Sequence, residues 1–189
     1  GILLDYVENT QKGQMPRIEK PVKVYENKVM EIDGATRKNL ELLESLTGDK
    51  GATLLSVMDR TVTAVGGRLL AGRVASPLVD LPEINQRLDV IEFFINHPRL
   101  REDFRDLLKS CPDMERAVSR LSLGRGGPRD LANIKTTLSV IPQLKILLAG
   151  FNQTAGASVE QELPAAVAAI MKRLGFHETM VDTFERALA

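Results

Sequence analysis

Asp80-Leu81-Pro82-Glu83-Ile84-Asn85-Gln86-Arg87-Leu88-Asp89-Val90-Ile91-Glu92-Phe93-Phe94-Ile95-Asn96-His97-Pro98 is the stretch whose reading decides the fold class. Asp80 followed by Glu83 has the spacing of a capping box, in which two side chains satisfy amides left without partners at a helix start. Behind it Ile84, Leu88, Ile91 and Ile95 recur at the helical period and share one face. Asn96-His97-Pro98 stops that helix and starts another, because proline suits a first turn and not an interior. In the second helix Leu100, Phe104, Leu107 and Leu108 line up. One capped helix running straight into the next predicts a helical array.

Toward the C-terminus the same punctuation continues. Ser110-Cys111-Pro112-Asp113 repeats the capping-box spacing and predicts a helix carrying Met114, Ala117, Val118 and Leu121. Gly124-Arg125-Gly126-Gly127 breaks the chain, and Pro128 opens a helix with Leu131, Ile134, Leu138 and Ile141 at its core face, which Pro142 is expected to bend or end. Gly150 to Ser158, small and polar, reads as a loop. Leu163, Val167, Ile170, Met171 and Leu174 predict one further helix, and Met180, Phe184 and Leu188 a last one.

Toward the N-terminus, Leu54, Met58, Val62, Val65 and Leu69 predict one helix with a single stripe, preceded by the turn Thr47 to Gly51 and a short helix Asn39 to Leu46. Gly66-Gly67 inside that stripe points to close approach of another helix or to a kink, since glycine costs about 1 kcal/mol in a helix interior. Upstream the period changes. Val22-Lys23-Val24 and Met30-Glu31-Ile32 alternate on either side of Asn27 and predict a small β-hairpin over Val22 to Ile32. Leu3, Leu4 and Val7 group as the end of a helix that Lys12-Gly13 stops. The predicted fold is mainly α, an elongated array of helices with that hairpin near the N-terminus. The stripes Leu54/Met58/Val62/Val65 and Ile84/Leu88/Ile91 are expected to pack on each other.

Composition bounds the function. The chain has 189 residues, with 25 Lys plus Arg against 25 Asp plus Glu. Zero net charge argues against a polyanion binder driven by bulk charge. No Trp, two Tyr and six Phe leave little for stacking on nucleic-acid bases. A lone cysteine, Cys111, cannot form an intramolecular disulfide, and no uninterrupted apolar run reaches about 20 residues, so a cytosolic setting without a membrane is expected. The first residue is Gly1 and the last helical pattern runs to Ala189 uncapped, which predicts a piece of a longer protein.

Candidate chemistry is sparse. His177-Glu178 begins a His-Glu-x-x-His zinc pattern, but Val181 stands where the second ligand belongs. His97, at a helix junction, is expected to take a capping or surface role, and Cys111, with neither histidine near it in sequence, to be an inert, partly buried thiol. Gly124-Arg125-Gly126-Gly127-Pro128 and Gly48-Asp49-Lys50-Gly51 lack the Gly-Lys-Ser/Thr of a nucleotide loop, and Pro128 offers no amide where an anion would sit. The sequence therefore assigns no catalytic, cofactor-binding or metal residue to the chain. Arg68, Arg87, Arg116, Arg120 and Arg129 are candidates for ion pairs between helices. A soluble helical adaptor that binds another protein is one reading of these features.

The order of segments supplies another. Met30-Glu31-Ile32-Asp33-Gly34-Ala35-Thr36-Arg37-Lys38-Asn39-Leu40-Glu41-Leu42 resembles the start of the lever (core) domain in the bacterial MutS family of DNA mismatch-recognition ATPases. Leu55 to Leu70 is similar to the next helix of that family, followed by Ser76-Pro77-Leu78, Ile84-Asn85-Gln86-Arg87-Leu88-Asp89, Asp113-Met114-Glu115-Arg116, Ser119-Arg120-Leu121 and Pro128-Arg129-Asp130-Leu131. The resemblance covers about Leu3 to Leu148, with Gly150 to Ala189 matching only loosely as further lever helices. It implies residues 1–33 as the end of a connector domain with a bridging hairpin, and 34–189 as the first part of the lever. It also implies a parent protein that binds ATP with Mg, mismatched DNA and MutL, and that dimerises. In that family the mismatch is read by an N-terminal domain through a Phe-x-Glu motif and ATP is hydrolysed by a C-terminal domain with a Walker loop; the Gly-Lys-Ser/Thr of such a loop does not occur in this chain. What the resemblance leaves for the chain is to transmit conformational change.

Overall fold

The computed structural model describes residues 2–11, 18, 28–49, 51–154 and 163–188. Among them the chain runs α1 (Ile2–Thr10), α2 (Gly34–Asn39), α3 (Leu54–Met58), α4 (Ala64–Ala75), α5 (Leu81–Asn96), α6 (Pro98–Lys109), α7 (Met114–Ser122), α8 (Pro128–Thr154), α9 (Ala165–Arg173) and α10 (Glu178–Ala187). The mainly α prediction holds.

The hairpin is not shown. Residues 22–27 lie outside the described residues, and Met30 to Ile32 joins no strand. Val29 instead forms a lone antiparallel bridge with Leu78, in which Met30 N–H donates to Pro77 O at 2.7 Å and Val79 N–H to Lys28 O at 3.1 Å. Period-two patterning here marks a single extended segment laid beside the entry to α5, a use of alternation that needs no neighbouring strand.

Local polar chemistry moves several helix boundaries. The predicted helix Asn39 to Leu46 is not formed. α2 lies before it, with the Asp33 carboxylate accepting from Thr36 N–H at 2.9 Å, and ends where Glu41 turns to φ 49°. The Glu41 side chain then accepts from Leu46 N–H at 2.6 Å, holding the following turn. The stripe from Leu54 to Leu69 is cut in two. Asp59 accepts from the Thr61 amide at 2.9 Å and hydroxyl at 2.7 Å, and Thr63 caps α4 through Gly66 N–H at 3.0 Å. Short side chains bonding their own backbone compete with helix continuation, and here they win.

A complete capping box does occur, at Thr53 and Ser56. At the spacing quoted first, Asp80 accepts from Glu83 N–H at 3.4 Å, while the Glu83 carboxylate pairs with Lys28 at 2.6 Å. At Ser110 to Asp113 the expected box is displaced: Ser110 closes α6, and Asp113 is the N-cap of α7. Pro142 neither ends α8 nor opens a loop, and the helix continues past Gly150 to Thr154. A proline removes one amide from the ladder. Buried Leu138, Ile141, Leu144 and Leu148 on both sides of it hold the helix together.

α8 is the axis of the core. It packs against α6, α7 and α10, and its Ile134, Leu138 and Ile141 close on a fully buried Ala117 of α7, with Met114, Leu121, Leu174, Val181 and Phe184 around them. By length and composition, residues 128–151 are apolar enough to cross a membrane. The fold supplies a different reason for that hydropathy, because three helices lie against this one. An aromatic set joins its far end to α5, where Phe93 meets Phe151 edge-on at 5.1 Å and His97 meets Phe151 at 4.6 Å.

The two predicted stripes do not pack on each other. Leu54, Met58, Val65 and Leu69 are exposed, as are Leu88, Ile91 and Ile95. α5 packs instead on α6 and α9.

Candidate functional site

The polar structure that ties helices together runs through α4, α7 and α8. Arg68 on α4 reaches the start of α7, where its guanidinium holds both oxygens of Asp113, at 2.7 and 2.9 Å, and one of Glu115 at 2.6 Å. A planar fork on a carboxylate fixes direction as well as distance. Asp113 has a second task, as its carboxylate also caps α7 by accepting from Arg116 N–H at 3.2 Å. The Arg68 guanidinium, and behind it the Arg116 amide, hold the Asp113 carboxyl down to about 2. Arg68 is in turn raised above its usual range by these two carboxylates, Asp113 first.

The second tie joins α7 to α8. Arg120 pairs with Asp130, whose side chain is 8% exposed against 56% for the arginine. The other Asp130 oxygen accepts from Gly127 N–H at 3.1 Å. Asp130 thus stands three residues into α8 and reaches back to the amide before it, which is the returning half of a capping box. One buried carboxylate therefore closes the glycine turn and binds the neighbouring helix.

Of the five arginines singled out by sequence, Arg68 and Arg120 bridge helices, while Arg116 makes a local pair with Asp113 at 3.5 Å. Arg87 and Arg129 form no ion pair among the described residues. Asp113 and Asp130, the partners of Arg68 and Arg120, are not assigned to these pairs by the sequence reading. A signal existed for both, since each aspartate sits at or within the first turn of a helix that follows a proline or glycine.

The glycine run is a turn built around Asp130. Gly124 takes φ 67°, and a Cβ at Gly126 would lie 2.4 Å from Leu121 Cδ2 and 2.9 Å from Leu121 Cα. Gly66-Gly67 also meets close neighbours, but these come from the preceding loop and not from another helix. A Cβ at Gly66 would lie 2.9 Å from Thr63 Oγ1, and one at Gly67 3.4 Å from Thr61 Oγ1.

The remaining candidates are bound up in packing. The His97 ring lies against Phe93 and Phe151, with Nδ1 2.6 Å from Phe93 O. It occupies the N-cap position of α6 without a side-chain capping bond. His177 Nε2 lies 3.0 Å from Leu174 O. Burial pushes the Cys111 thiol up, toward the unreactive form. No group of three or more His, Cys, Asp or Glu among the described residues is placed to hold a metal.

One apolar cleft of about 390 Å³ opens between α8 and the α9–α10 turn, lined by Leu138, Ile141, Pro142, Ile146, Phe176 and Val181 among others. Lys145 at its edge is engaged by Gly175 O and by the Phe176 ring, 3.7 Å from the ring centroid. Ser139 and His177 also line the cleft, where the Ser139 hydroxyl donates to Lys135 O at 2.8 Å and His177 Nε2 lies against Leu174 O. Among the described residues, one arginine fork joins α4 to α7 and a single arginine–aspartate pair joins α7 to α8.

Comparison with known proteins agrees with the order of segments. The family model for MutS domain III matches residues 35–184. The chain is 43% identical over 188 residues to the DNA mismatch repair protein MutS of Ruegeria pomeroyi, a match covering 100% of this chain and 20% of that protein. It is likewise 43% identical to the DNA mismatch repair protein MutS of Roseobacter denitrificans, with the same coverage. To the Caulobacter vibrioides protein of that name it is 47% identical over 150 residues, 79% of this chain and 17% of that one. The chain spans about a fifth of the length of the curated relatives it matches.

Proposed function

This chain belongs to the MutS family, to the part described as domain III, and from that premise we propose that it is a non-catalytic segment that transmits conformational change in DNA mismatch repair. In this reading residues 1–33 are the end of a connector domain and 34–189 the first part of a lever, in a cytoplasmic protein. Mismatched DNA, MutL, ATP with Mg and the dimer contacts belong to other parts of the longer protein. The segment itself holds no catalytic, cofactor or metal residue.

The observation that carries the reading is the pair of ties Arg68–Asp113/Glu115 and Arg120–Asp130. A helix of 27 residues spans roughly 40 Å at 1.5 Å per residue. Helices of that length move as rigid bodies when their ends are joined to neighbours, so events at one end bias the equilibrium at the other. The two arginine ties join α4 to α7 and α7 to α8, and so would carry a displacement of one along the others.

The test belongs in the full-length protein. Arg68→Ala and Arg120→Ala are expected to leave basal ATP turnover intact and to reduce its stimulation by mismatched DNA, at a coupling cost of about 0.5–2 kcal/mol. Arg116→Ala, which removes an exposed and local pair, serves as the control and is expected to behave as wild type. Full mismatch stimulation with unchanged stability in both Arg68→Ala and Arg120→Ala would show that these ties do not transmit.

A further inference from the structure

Pro142 divides α8 into two arms that lean on different neighbours. It offers no amide to Leu138 O, and a proline ring inside a helix presses on the carbonyl four residues before it, which is why helix kinks gather at prolines. The arm before it, residues 128–141, is fixed to α7 by the Arg120–Asp130 pair and by Ile134, Leu138 and Ile141 on Ala117. In the arm after it, residues 143–154, Phe151 meets Phe93 and His97 at the junction of α5 and α6. The helix is nevertheless continuous from Pro128 to Thr154.

A polar contact spans the proline. α10 belongs with the first arm, since its Val181 and Phe184 pack on the Ala117 cluster and its Glu185 pairs with Lys135 at 3.8 Å. The turn that precedes α10 reaches the second arm: Lys145 donates to Gly175 O, and its ammonium lies 3.7 Å from the centroid of the Phe176 ring. That turn has a fixed shape, because Gly175 takes φ 60° and His177 Nε2 closes on Leu174 O at 3.0 Å. Lys145 forms no ion pair among the described residues. Its hold is on a carbonyl and a ring face, so letting go strands no carboxylate. The apolar cleft lies under this contact, with Leu138, Pro142 and Lys145 facing it from α8 and Gly175 and Phe176 from the turn. Relieving the pressure of the proline ring on Leu138 O widens the helix on that side, which opens the cleft and draws Lys145 away from Gly175.

We infer that Pro142 is a bend point in α8 and that Lys145, on Gly175 O and the Phe176 ring, is the latch that keeps the two arms in line. Latched, α8 moves as one body. Released, its arms move separately and the cleft opens. That a lever makes use of this bend rests on the proposed function, but the bend itself is measured without ATP or DNA, so either reading can fail while the other stands.

Amide hydrogen exchange of the full-length protein, read on peptides from α8 with α7 as internal reference, tests this. Lys145→Met keeps the apolar stem and removes the donor, and should speed exchange of amides 143–149 about tenfold, the low end for a hydrogen bond from a charged donor. Phe176→Leu, at a side chain 86% exposed, should speed the same amides about twofold to fivefold. Pro142→Ala returns an amide to Leu138 O and should slow exchange there. On that background Lys145→Met should change the rates by about twofold or less, because a latch matters only where there is a bend to hold. Unchanged exchange over 143–149 in Lys145→Met overturns the proposal. An equal acceleration in the Pro142→Ala background also overturns it, since Lys145 would then act without the proline. Acceleration that spreads equally to α7 does so as well, because it reports a general loss of structure.

Discussion

α8 and α5 are both long helices with apolar residues at helical spacing, yet α8 has its stripe in the core and α5 presents its own to solvent. Ile134, Leu138 and Ile141 of α8 close on Ala117, whereas Leu88, Ile91 and Ile95 of α5 are more than half exposed. Periodicity states that a face is apolar. It says nothing about which partner covers it, because that depends on how the loops on either side aim the helix. For α8 the aim is set by Asp130, which closes the Gly127 turn and holds Arg120 of the preceding helix. On the α4 side Arg68 reaches past α5 altogether and takes hold of α7.

Breaking the contrast begins with the core. Leu138→Ala is expected to cost about 2–5 kcal/mol in urea unfolding, the range for truncating a buried leucine. A value near zero would show that α8 is not the axis of the core. Gly126→Ala should follow, at about 1–3 kcal/mol, because the added methyl group meets the Leu121 backbone as well as its flexible tip. Asp130→Ala removes a helix tie and a turn acceptor together, and about 1–3 kcal/mol is expected, measured against Arg120→Ala, which should cost less because it leaves the Gly127 amide satisfied.

The pH dependence sharpens the comparison from the charged side. The Asp113 carboxyl is held at about 2 in the folded chain, below the roughly 3.9 of a free aspartate. The unfolded state therefore binds the proton first. The stabilisation is complete above about pH 4 and is lost as pH falls toward 2. Acid melts of Asp113→Asn should be flatter than wild type across that window, and equal slopes would exclude Asp113 as the responsible group. The smallest effect belongs to α5: Leu88→Ala, in dilute solution, is expected to stay within about 0.5 kcal/mol of wild type. A core-sized loss there would mean that the α5 stripe is buried after all.

Much of this molecule is legible along the chain. The starts of α6 and α8 at Pro98 and Pro128 follow from proline's fixed backbone angle. The core face Ile134, Leu138 and Ile141 follows from its spacing, and the two bridging arginines were among the five expected. Several helix boundaries differ where short polar side chains bind nearby amides. Asp59 with Thr61 split the predicted helix, and the cap at Asp113 displaced the one expected at Ser110. These bonds are local in sequence but are chosen by which conformation the rest of the fold allows.

Sequence by itself determined the helical class, the identity of the apolar faces and, through the order of its segments, the family. It did so because helix period, capping chemistry and proline placement act within a few residues of chain. Only the tertiary structure decided that Pro142 lies inside a continuous helix, that Arg68 binds α7, that Val29 pairs with Leu78, and that the α3–α4 and α5 stripes do not meet. Each of those outcomes depends on the direction in which a turn sends the next helix, and direction is set by contacts between residues far apart in the chain.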